Sequence, residues 1–348
     1  MLQQICRINF RAEFQDFVSL AFLKAPIKYL FLVGFTLLCF TIDLFWGGSV
    51  NLDLNNEAHQ FIFYDLRLPK SLTALICGIG LSTSGLLLQT FFKNPLAGPS
   101  VLGINSGAAM GSALVILLGV SSWFGDFGTN TAIVIASFAG ALLVMLFISG
   151  LVNLIKSHSL IIIAGLMIGN LSLALVGILQ YFSKPESLKQ FILWTFGSTQ
   201  GLSFNQLGIM AGLVLICFVF ALSENRSLDL MMLDHKNAKG LGFKSNLFKN
   251  KVLLIAALLA ATCTAFCGPI GFVGIAVPYL TRLLFKKEMH LALLIVNALM
   301  GASFLLLSDY LSSIGPSGAR LPLNIIMALV GSPIVLLILL RFRKGKFA

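Results

Sequence analysis

The chain has 348 residues, of which 57% are hydrophobic and 11% charged, and its formal net charge is +11. A mean hydropathy of +0.94 excludes an ordinary soluble domain, because soluble proteins carry roughly twice this charged fraction. The positive charge does not by itself indicate nucleic-acid binding, since in a membrane protein the position of basic residues carries the information. The composition predicts an all-α protein that crosses the membrane many times.

Ten apolar segments follow an N-terminal stretch that we do not expect to be a cleavable signal. Residues 1–25 mix charged and aromatic residues and lack a short apolar core with an A-x-A site. We interpret them as a cytoplasmic amphipathic lead-in, and residues 26–348 as a single transmembrane domain. The apolar segments fall at about 26–46, 67–91, 101–120, 131–152, 159–182, 207–222, 251–267, 275–285, 291–311 and 322–341.

The basic residues predict the orientation of these segments. Ten crossings place both termini on the same side of the membrane, and basic residues prefer the cytoplasmic side. With both termini in the cytoplasm, only five of the 24 Lys and Arg residues fall outside, namely Arg67, Lys70, Lys184, Lys189 and Arg320. Omitting the short segment 275–285 would reverse the last two segments and weaken this asymmetry, so the charges favour ten helices.

The short segment lies within GPIGFVGIAVPYLTRLL, residues 268–284, which holds three glycines at three-residue spacing and two prolines. Its apolar run is far shorter than the ~20 residues of a spanning helix. Backbone groups freed by Pro269 and Pro278 cannot face lipid, because each unsatisfied group costs several kcal/mol there. We expect a short or broken helix near 275–285. Either the glycines serve tight packing alone, or the segment lies beside a translocation path.

A second irregular stretch covers residues 91–114. It begins with the turn sequence KNPLAGP and continues with Gly103, Gly107 and Gly111 at four-residue spacing. Small residues at this spacing allow close contact between membrane helices, and Gly165 and Gly169 repeat the pattern. We therefore expect a short, tightly packed helix near 101–120.

Two loops are longer than a simple connection requires. The outer loop, 181–206, predicts a short surface helix over 186–196. The inner loop, 223–250, is both apolar and basic and predicts a helical piece around 234–241. It can lie on the bilayer or form a docking surface for another protein, and we favour docking.

The sequence lacks the residues expected of several function classes. It contains no GxxxxGK[ST] motif, so the chain is not expected to hydrolyse ATP. No catalytic or metal site is predicted, and we interpret Cys263 and Cys267, which share a helix face, as packing residues. Only Asp43 and Asp309 are acidic residues in or near the membrane segments, each near the outer end. This counts against an ion-coupled secondary transporter, which usually keeps ionisable groups near the midplane, without excluding that alternative.

Several motifs in order resemble one family. Residues 67–114, RLPKSLTALICGIGLSTSGLLLQTFFKNPLAGPSVLGINSGAAMGSAL, residues 268–284 and residues 307–341 resemble three signatures of the permease subunits of ABC importers for ferric siderophores, haem and cobalamin. The inner sequence LDHKNAKGLG, 233–242, is similar to the ATPase-contacting loop of that family. The resemblance spans nearly the whole chain after residue 60.

The resemblance implies a type II importer permease in the bacterial inner membrane. Such a permease is not itself an enzyme. It pairs with a second copy of itself around a central path. Two cytoplasmic ATPase subunits bind ATP and Mg, and an extracytoplasmic binding protein delivers the substrate. The chain would contact lipid, would not bind nucleic acid and would need no cofactor of its own. A ferric siderophore is the favoured cargo, with haem or cobalamin as alternatives.

The resemblance also assigns roles to residues at the two ends of the bundle. Docking of the binding protein falls to Arg67 and Lys70, with interfacial anchoring of both side chains as the alternative. Arg320 stands where the family usually has an acidic residue, and Ser312 and Ser313 where a basic one is frequent, so Arg320 is a candidate displaced docking charge. Contact with the ATPase falls to four residues of the inner loop, in which Asp234 replaces a usual glycine: Leu233, Asp234, Ala238 and Gly242.

The remaining assignments concern the inner gate and the translocation path. The resemblance places Asn94 and Leu96 at an inner gate, facing a turn that contributes His158 or Ser159. The fifth and tenth helices would line the path. Met167 and Asn170 of the fifth helix are the candidate path residues.

Overall fold

The computed structural model describes residues 25–46, 57–119, 128–155, 157–232, 245–285, 289–315 and 319–342, and its regular secondary structure over these residues is helical. The α-helices are α1 Ala25–Trp46, α2 Glu57–Phe61, α3 Leu68–Phe92, α4 Ile104–Leu118, α5 Gly128–Leu154, α6 His158–Phe182, α7 Pro185–Thr195, α8 Phe204–Ser223, α9 Asn225–Met232, α10 Ser245–Cys267, α11 Val273–Leu284, α12 His290–Ser312 and α13 Leu323–Phe342. A π-helical segment, Ile62–Arg67, joins α2 to α3. The predicted lead-in over 1–24 and the helical piece at 234–241 lie outside the described residues.

The structure confirms the predicted ten apolar helices. Within the described residues, seven helical segments are long and apolar enough to cross a membrane, and α4, α11 and α13 are shorter apolar helices. These ten elements correspond one to one with the ten predicted apolar segments. The 12 residues of α11 span only about 18 Å at 1.5 Å per residue, against a hydrocarbon core of about 30 Å. The short helices predicted near 101–120 and 275–285 are therefore present.

Local sequence explains where several helices begin and end. Pro185 occupies the first turn of α7, where its missing N–H is not needed, and this helix confirms the surface helix predicted over 186–196. Ser203 and Gln206 form a complete capping box at the start of α8. Helix α10 ends where Gly268 adopts a left-handed φ of 72°, and Pro269 follows, which cannot continue the helix.

Helix α3 forms the centre of the bundle. Over an 18-residue apolar stretch of its segment 78% of the residues are buried, against 28% over such stretches of α1, α6 and α8, which expose apolar faces. Helix α3 packs against α12, α10, α11 and α8. Its buried hydroxyls bond to neighbouring backbones: Ser82 Oγ donates to Asn297 O at 3.1 Å, and Ser84 Oγ donates to Ala256 O at 2.6 Å. Small polar residues thus join the central helices at close range, as is typical of membrane bundles.

The glycine pattern of α4 gives the close contacts that its spacing predicts. A Cβ atom on Gly107 would meet the backbone of Gly140 of α5. A Cβ atom on Gly111 would meet the backbone of Ala136, which also belongs to α5. The third glycine, Gly103, lies against the backbone of α6. Its partners there are Gly165 and Gly169. The prediction of tight packing by these five glycines is confirmed.

Helix α9 is an element that the sequence analysis missed. It treated residues 225–232 as the polar and then apolar start of a long inner loop. In the structure Leu228 is completely buried, and α9 packs against α12 and α3. The first part of the inner loop therefore belongs to the packed bundle.

Candidate functional site

The break between α10 and α11 is covered by neighbouring backbone and side chains. The N–H of Gly271 donates to Asn324 Oδ1 at 3.2 Å, and the N–H of Ser198 donates to Cys267 O at 2.8 Å. The N–H of Asn324 in turn donates to Phe196 O at 3.0 Å. Irregular backbone at this depth is thus satisfied by the protein, as the bilayer requires.

Phe272 marks the start of α11 with an unusual backbone. Its φ is 65° and its ψ is −33°, a region that costs a non-glycine residue about 1–3 kcal/mol. Its side chain occupies the space that a Cβ on Gly331 of α13 would need. The strain is therefore held in place by packing between the break and α13.

A cavity of about 730 Å³ opens beside this break. Its walls come from the start of α4, from α6, from the end of α7 and from α13, with Pro269 at the break itself. The lining residues are Asn105, Ser106, Ala109, Leu173, Thr195, Phe196, Pro269, Asn324, Ile325, Ala328, Leu329 and Ser332. This set pairs amide and hydroxyl groups with apolar surface and includes no charged side chain. The break thus has both features that the sequence analysis weighed, close packing and an adjacent open space.

The candidate path residues lie on α6 near this cavity but do not line it. Met167 is 56% exposed, and Asn170 is also exposed. Leu173, one turn after Asn170, is the lining residue that α6 contributes. The fifth and tenth predicted helices, α6 and α13, both form walls of the cavity. The role of α6, and of Met167 and Asn170 within it, in a translocation path stays a prediction.

The two turns assigned to the inner gate lie side by side. Asn94 Oδ1 accepts the N–H of Leu96 at 2.9 Å and so stabilises the turn after α3. His158 Nδ1 lies 3.3 Å from Phe92 O, and its ring stacks on Phe91 with centroids 5.8 Å apart. Ser159, next in the chain, is exposed. The structure brings the turns together, and their role as a gate stays a prediction.

An ionic network joins the outer ends of several helices. Lys70 Nζ of α3 lies 2.9 Å from Asp43 Oδ1 of α1 and 2.9 Å from Asp309 Oδ2 of α12. Ser71 Oγ donates to Asp43 Oδ2 at 2.6 Å, and Thr199 Oγ1 donates to Asp309 Oδ1 at 2.6 Å. Buried carboxylates are tolerated only when paired and hydrogen-bonded in this way.

This network changes the view of the predicted docking residues. Arg67 and Lys70, predicted to contact the binding protein, have relative exposures of only 5% and 2%. Arg67 Nη1 donates to Phe45 O at 2.5 Å. Of the three predicted docking residues Arg320 is the most accessible, with 26% of its side chain exposed. Its Nη2 lies 3.6 Å from Asp309 Oδ2. Docking of a binding protein stays a prediction, and Arg320 is now its best-placed residue.

The four residues assigned to ATPase contact fall outside the described residues. Leu233, Asp234, Ala238 and Gly242 follow directly after α9 in the chain. The structure therefore places only the helix that leads into this segment. Contact with an ATPase through these residues stays a prediction.

Comparison with known proteins agrees with the resemblance seen in the motifs. Residues 29–341 match the model of the FecCD transport family. The chain is 34% identical over 304 residues to the molybdate import system permease protein MolB of Haemophilus influenzae, which covers 87% of this chain and 88% of that protein. It is 33% identical over 302 residues to the hemin transport system permease protein HmuU of Yersinia pestis, covering 86% of this chain and 88% of that protein.

A solved structure shares the same fold. It is described as a metal-chelate type ABC transporter in an inward-facing conformation, and it superposes with a TM-score of 0.79 at 31% identity, covering 89% of this chain and 99% of that chain. These matches leave no place for the alternative of an ion-coupled secondary transporter. The chain belongs to the FecCD transport family and is the multi-pass membrane permease of a bacterial ABC importer, in which a separate subunit hydrolyses ATP.

Proposed function

We propose that this permease carries a metal complex of the ferric-siderophore type, with haem and cobalamin as related alternatives. The observation that supports this cargo best is the cavity of about 730 Å³ beside the helix break. Among the described residues its lining offers amide and hydroxyl groups and apolar surface without a charge. A bulky chelate that carries many oxygen atoms is matched by neutral hydrogen bonds and apolar contact.

Molybdate is a second candidate because the relative in Haemophilus influenzae is a molybdate permease at 34% identity. The hydroxyl and amide groups of Asn105, Ser106 and Asn324 can donate to an oxyanion as well. Small oxyanions are bound most strongly by charged donors, which the described lining does not supply. The chemistry of the lining therefore favours the larger complex.

The proposed assembly contains two copies of this chain, two ATPase subunits and a binding protein. Leu173 of α6 and Leu329 of α13 both line the cavity, and they are 51% and 67% exposed in the single chain. A cavity wall so exposed and apolar is suited to a second copy that closes the other side. The ATPase would dock at 233–242 and the binding protein at the outer end, near Arg320.

Uptake in a strain that lacks the gene tests the cargo. We expect loss of uptake of one labelled cargo among ferric siderophores, haem, cobalamin and molybdate, restored by the intact gene. A gene in which 234–241 is replaced by a Gly-Ser segment of equal length should express but fail to restore uptake, because α9 stays intact while the ATPase contact is lost. Loss of molybdate uptake alone would refute the metal-complex cargo, and full rescue by the Gly-Ser variant would refute the docking segment.

Substitution of Arg320 tests the outer docking site. We expect Arg320→Gln to weaken stimulation of ATP hydrolysis by the binding protein up to about fivefold, since an exposed ion pair contributes ~0.2–1 kcal/mol and acts mainly on encounter. Arg320→Lys, which keeps the charge, should retain most of the stimulation. Titration of the binding protein against reconstituted complex at low and high salt measures the effect. Equal stimulation of wild type and Arg320→Gln at low salt would contradict the role.

A further inference from the structure

A chain of hydrogen bonds at the inner end of the bundle begins at α9. His290 is the first residue of α12, and its Nδ1 lies 2.6 Å from Asp229 Oδ1 of α9. The backbone N–H of His290 donates to the same oxygen at 3.0 Å. A carboxylate in this position satisfies a free N–H at the start of α12 and opposes the positive end of its dipole. Asp229 thereby fixes the position of α9 relative to α12.

The chain of bonds continues through α3 into α11. Thr90, in the last turn of α3, lies with Oγ1 3.3 Å from His290 Nε2 and accepts Arg282 Nη2 at 3.0 Å. Arg282 Nη1 donates to Gln89 Oε1 at 3.0 Å, and Gln89 Nε2 donates to Ile275 O at 3.1 Å. Thr90, Gln89 and His290 are at least 93% buried. The bonds therefore join four helices in a region where water cannot easily replace them.

The donors and acceptors of this chain are mutually consistent. With Nδ1–H of His290 donating to Asp229, Nε2 is free to accept the hydroxyl hydrogen of Thr90. The oxygen of Thr90 then accepts from Arg282, which has donors only. Each contact in this chain of bonds therefore pairs one donor with one acceptor, without conflict.

The ends of this chain of bonds are two segments with predicted functions. Helix α9 runs directly into 233–242, the segment proposed to contact the ATPase. At the other end, the turn after α3 is hydrogen-bonded to the backbone of Gln89 and Thr90. Lys93 N donates to Thr90 O at 3.3 Å, and Asn94 N donates to Gln89 O at 3.2 Å. That turn carries Asn94 and Leu96, the residues assigned to the inner gate. The network thus connects the ATPase-contacting segment with the inner turn through direct bonds.

We propose that Asp229, His290, Thr90 and Arg282 form a link that transmits movement of the ATPase-contacting segment to the turn after α3. The inference rests on the proposed docking of the ATPase at 233–242. In this role the four residues position the gate and do not touch the cargo. When α9 is displaced, Asp229 moves with it. Through the contacts of Asp229 with His290 and of His290 with Thr90, the start of α12 and the end of α3 then move as a unit with α9. When one of these four residues is lost, ATP hydrolysis continues, but it no longer produces movement of the turn after α3.

Spin labels on the inner turns measure this movement without knowledge of the cargo. Lys93 and Ser159 are both exposed and are replaced by labelled cysteines; Cys6→Ser removes one native thiol, and the other five are buried. The label-to-label distance is recorded in the full complex with and without ATP. We expect ATP to change the distance in the parent protein. In His290→Ala we expect assembly and ATP hydrolysis to persist while the ATP-dependent change falls about fivefold or more, in the range of usual coupling energies.

Three further variants separate coupling from general damage. Asp229→Asn keeps the Oδ1 acceptor and should behave like the parent, whereas Asp229→Ala should resemble His290→Ala. Thr36→Val removes a buried bond to Ser303 on the same helix, α12, at 2.9 Å and should destabilise the protein without uncoupling it. A full ATP-dependent distance change in both His290→Ala and Asp229→Ala would overturn the link. Failure of the parent chain to recruit an ATPase through 233–242 would instead overturn the proposed docking, and the link with it.

Discussion

Replacement of Lys70 by methionine is expected to destabilise the permease by about 3–5 kcal/mol, because it leaves two buried carboxylates without their shared cation. Lys70 lies within 2.9 Å of both Asp43 and Asp309, and all three side chains are at most 2% exposed. Methionine has nearly the shape of the lysine stem, so the loss reports on charge more than on packing. The midpoint of thermal unfolding in detergent and the yield of folded protein both measure the effect.

The controls for this prediction come from the same chain. Lys189→Met removes an exposed lysine from the surface helix α7 and should change the midpoint little. The triple variant Lys70→Met, Asp43→Asn, Asp309→Asn should recover part of the loss, since the two buried carboxylates that lost their shared cation are then neutral. A Lys70→Met protein as stable as wild type would show that the network does not hold the outer end together.

The helices were predictable because their signals are local. A run of about 20 apolar residues identifies a crossing wherever it occurs, and the basic residues decided that the short segment 275–285 had to be counted. Close packing of α4 was also predictable, because the spacing of Gly103, Gly107 and Gly111 places them on one helix face. In each case the physical cause lies within one segment of the sequence.

The ionic network was not predicted, because it depends on which helix ends meet. Hydropathy treats Asp43, Lys70 and Asp309 as three separate charges at segment ends. A signal did exist in the predicted topology, which put all three at the outer side of the membrane at similar depth. Opposite charges that share a depth in a bundle are expected to find each other, since an unpaired charge there is costly.

The link at the inner end was missed for a related reason. Asp229 lay in what the sequence indicated to be a loop, and nothing in the sequence connects it with His290, 61 residues further along the chain. The helical phase of α6 likewise depends on its neighbours, so the sequence alone did not identify Leu173 as a lining residue of the cavity. Tertiary packing decides these positions, and a single sequence carries no record of it.

Replacement of Gly85 by alanine is expected to disrupt the contact between α3 and the short helix α11. A Cβ atom on Gly85 would overlap the backbone of Gly274, which cannot rotate away as a side chain can. A Cβ atom on Gly274 would in turn meet the ring of Pro99 at 2.9 Å and the carbonyl oxygen of Leu81 of α3 at 3.2 Å, so the contact between the two helices is tight from both sides. Overpacking of this kind costs about 1–3 kcal/mol or more, and a lowered unfolding midpoint in detergent measures it.

Gly212→Ala in α8 is the matched control, because a Cβ there meets nothing within 4 Å. In a helix without such a contact, alanine is favoured over glycine by up to about 1 kcal/mol. The same chemical change should therefore raise or preserve the midpoint at Gly212 and lower it at Gly85. If both substitutions shift the midpoint in the same direction, α3 and α11 do not meet backbone to backbone. Because α11 follows directly after the break that borders the cavity, a shift of this helix should also reduce uptake at temperatures where the Gly85→Ala protein is still folded.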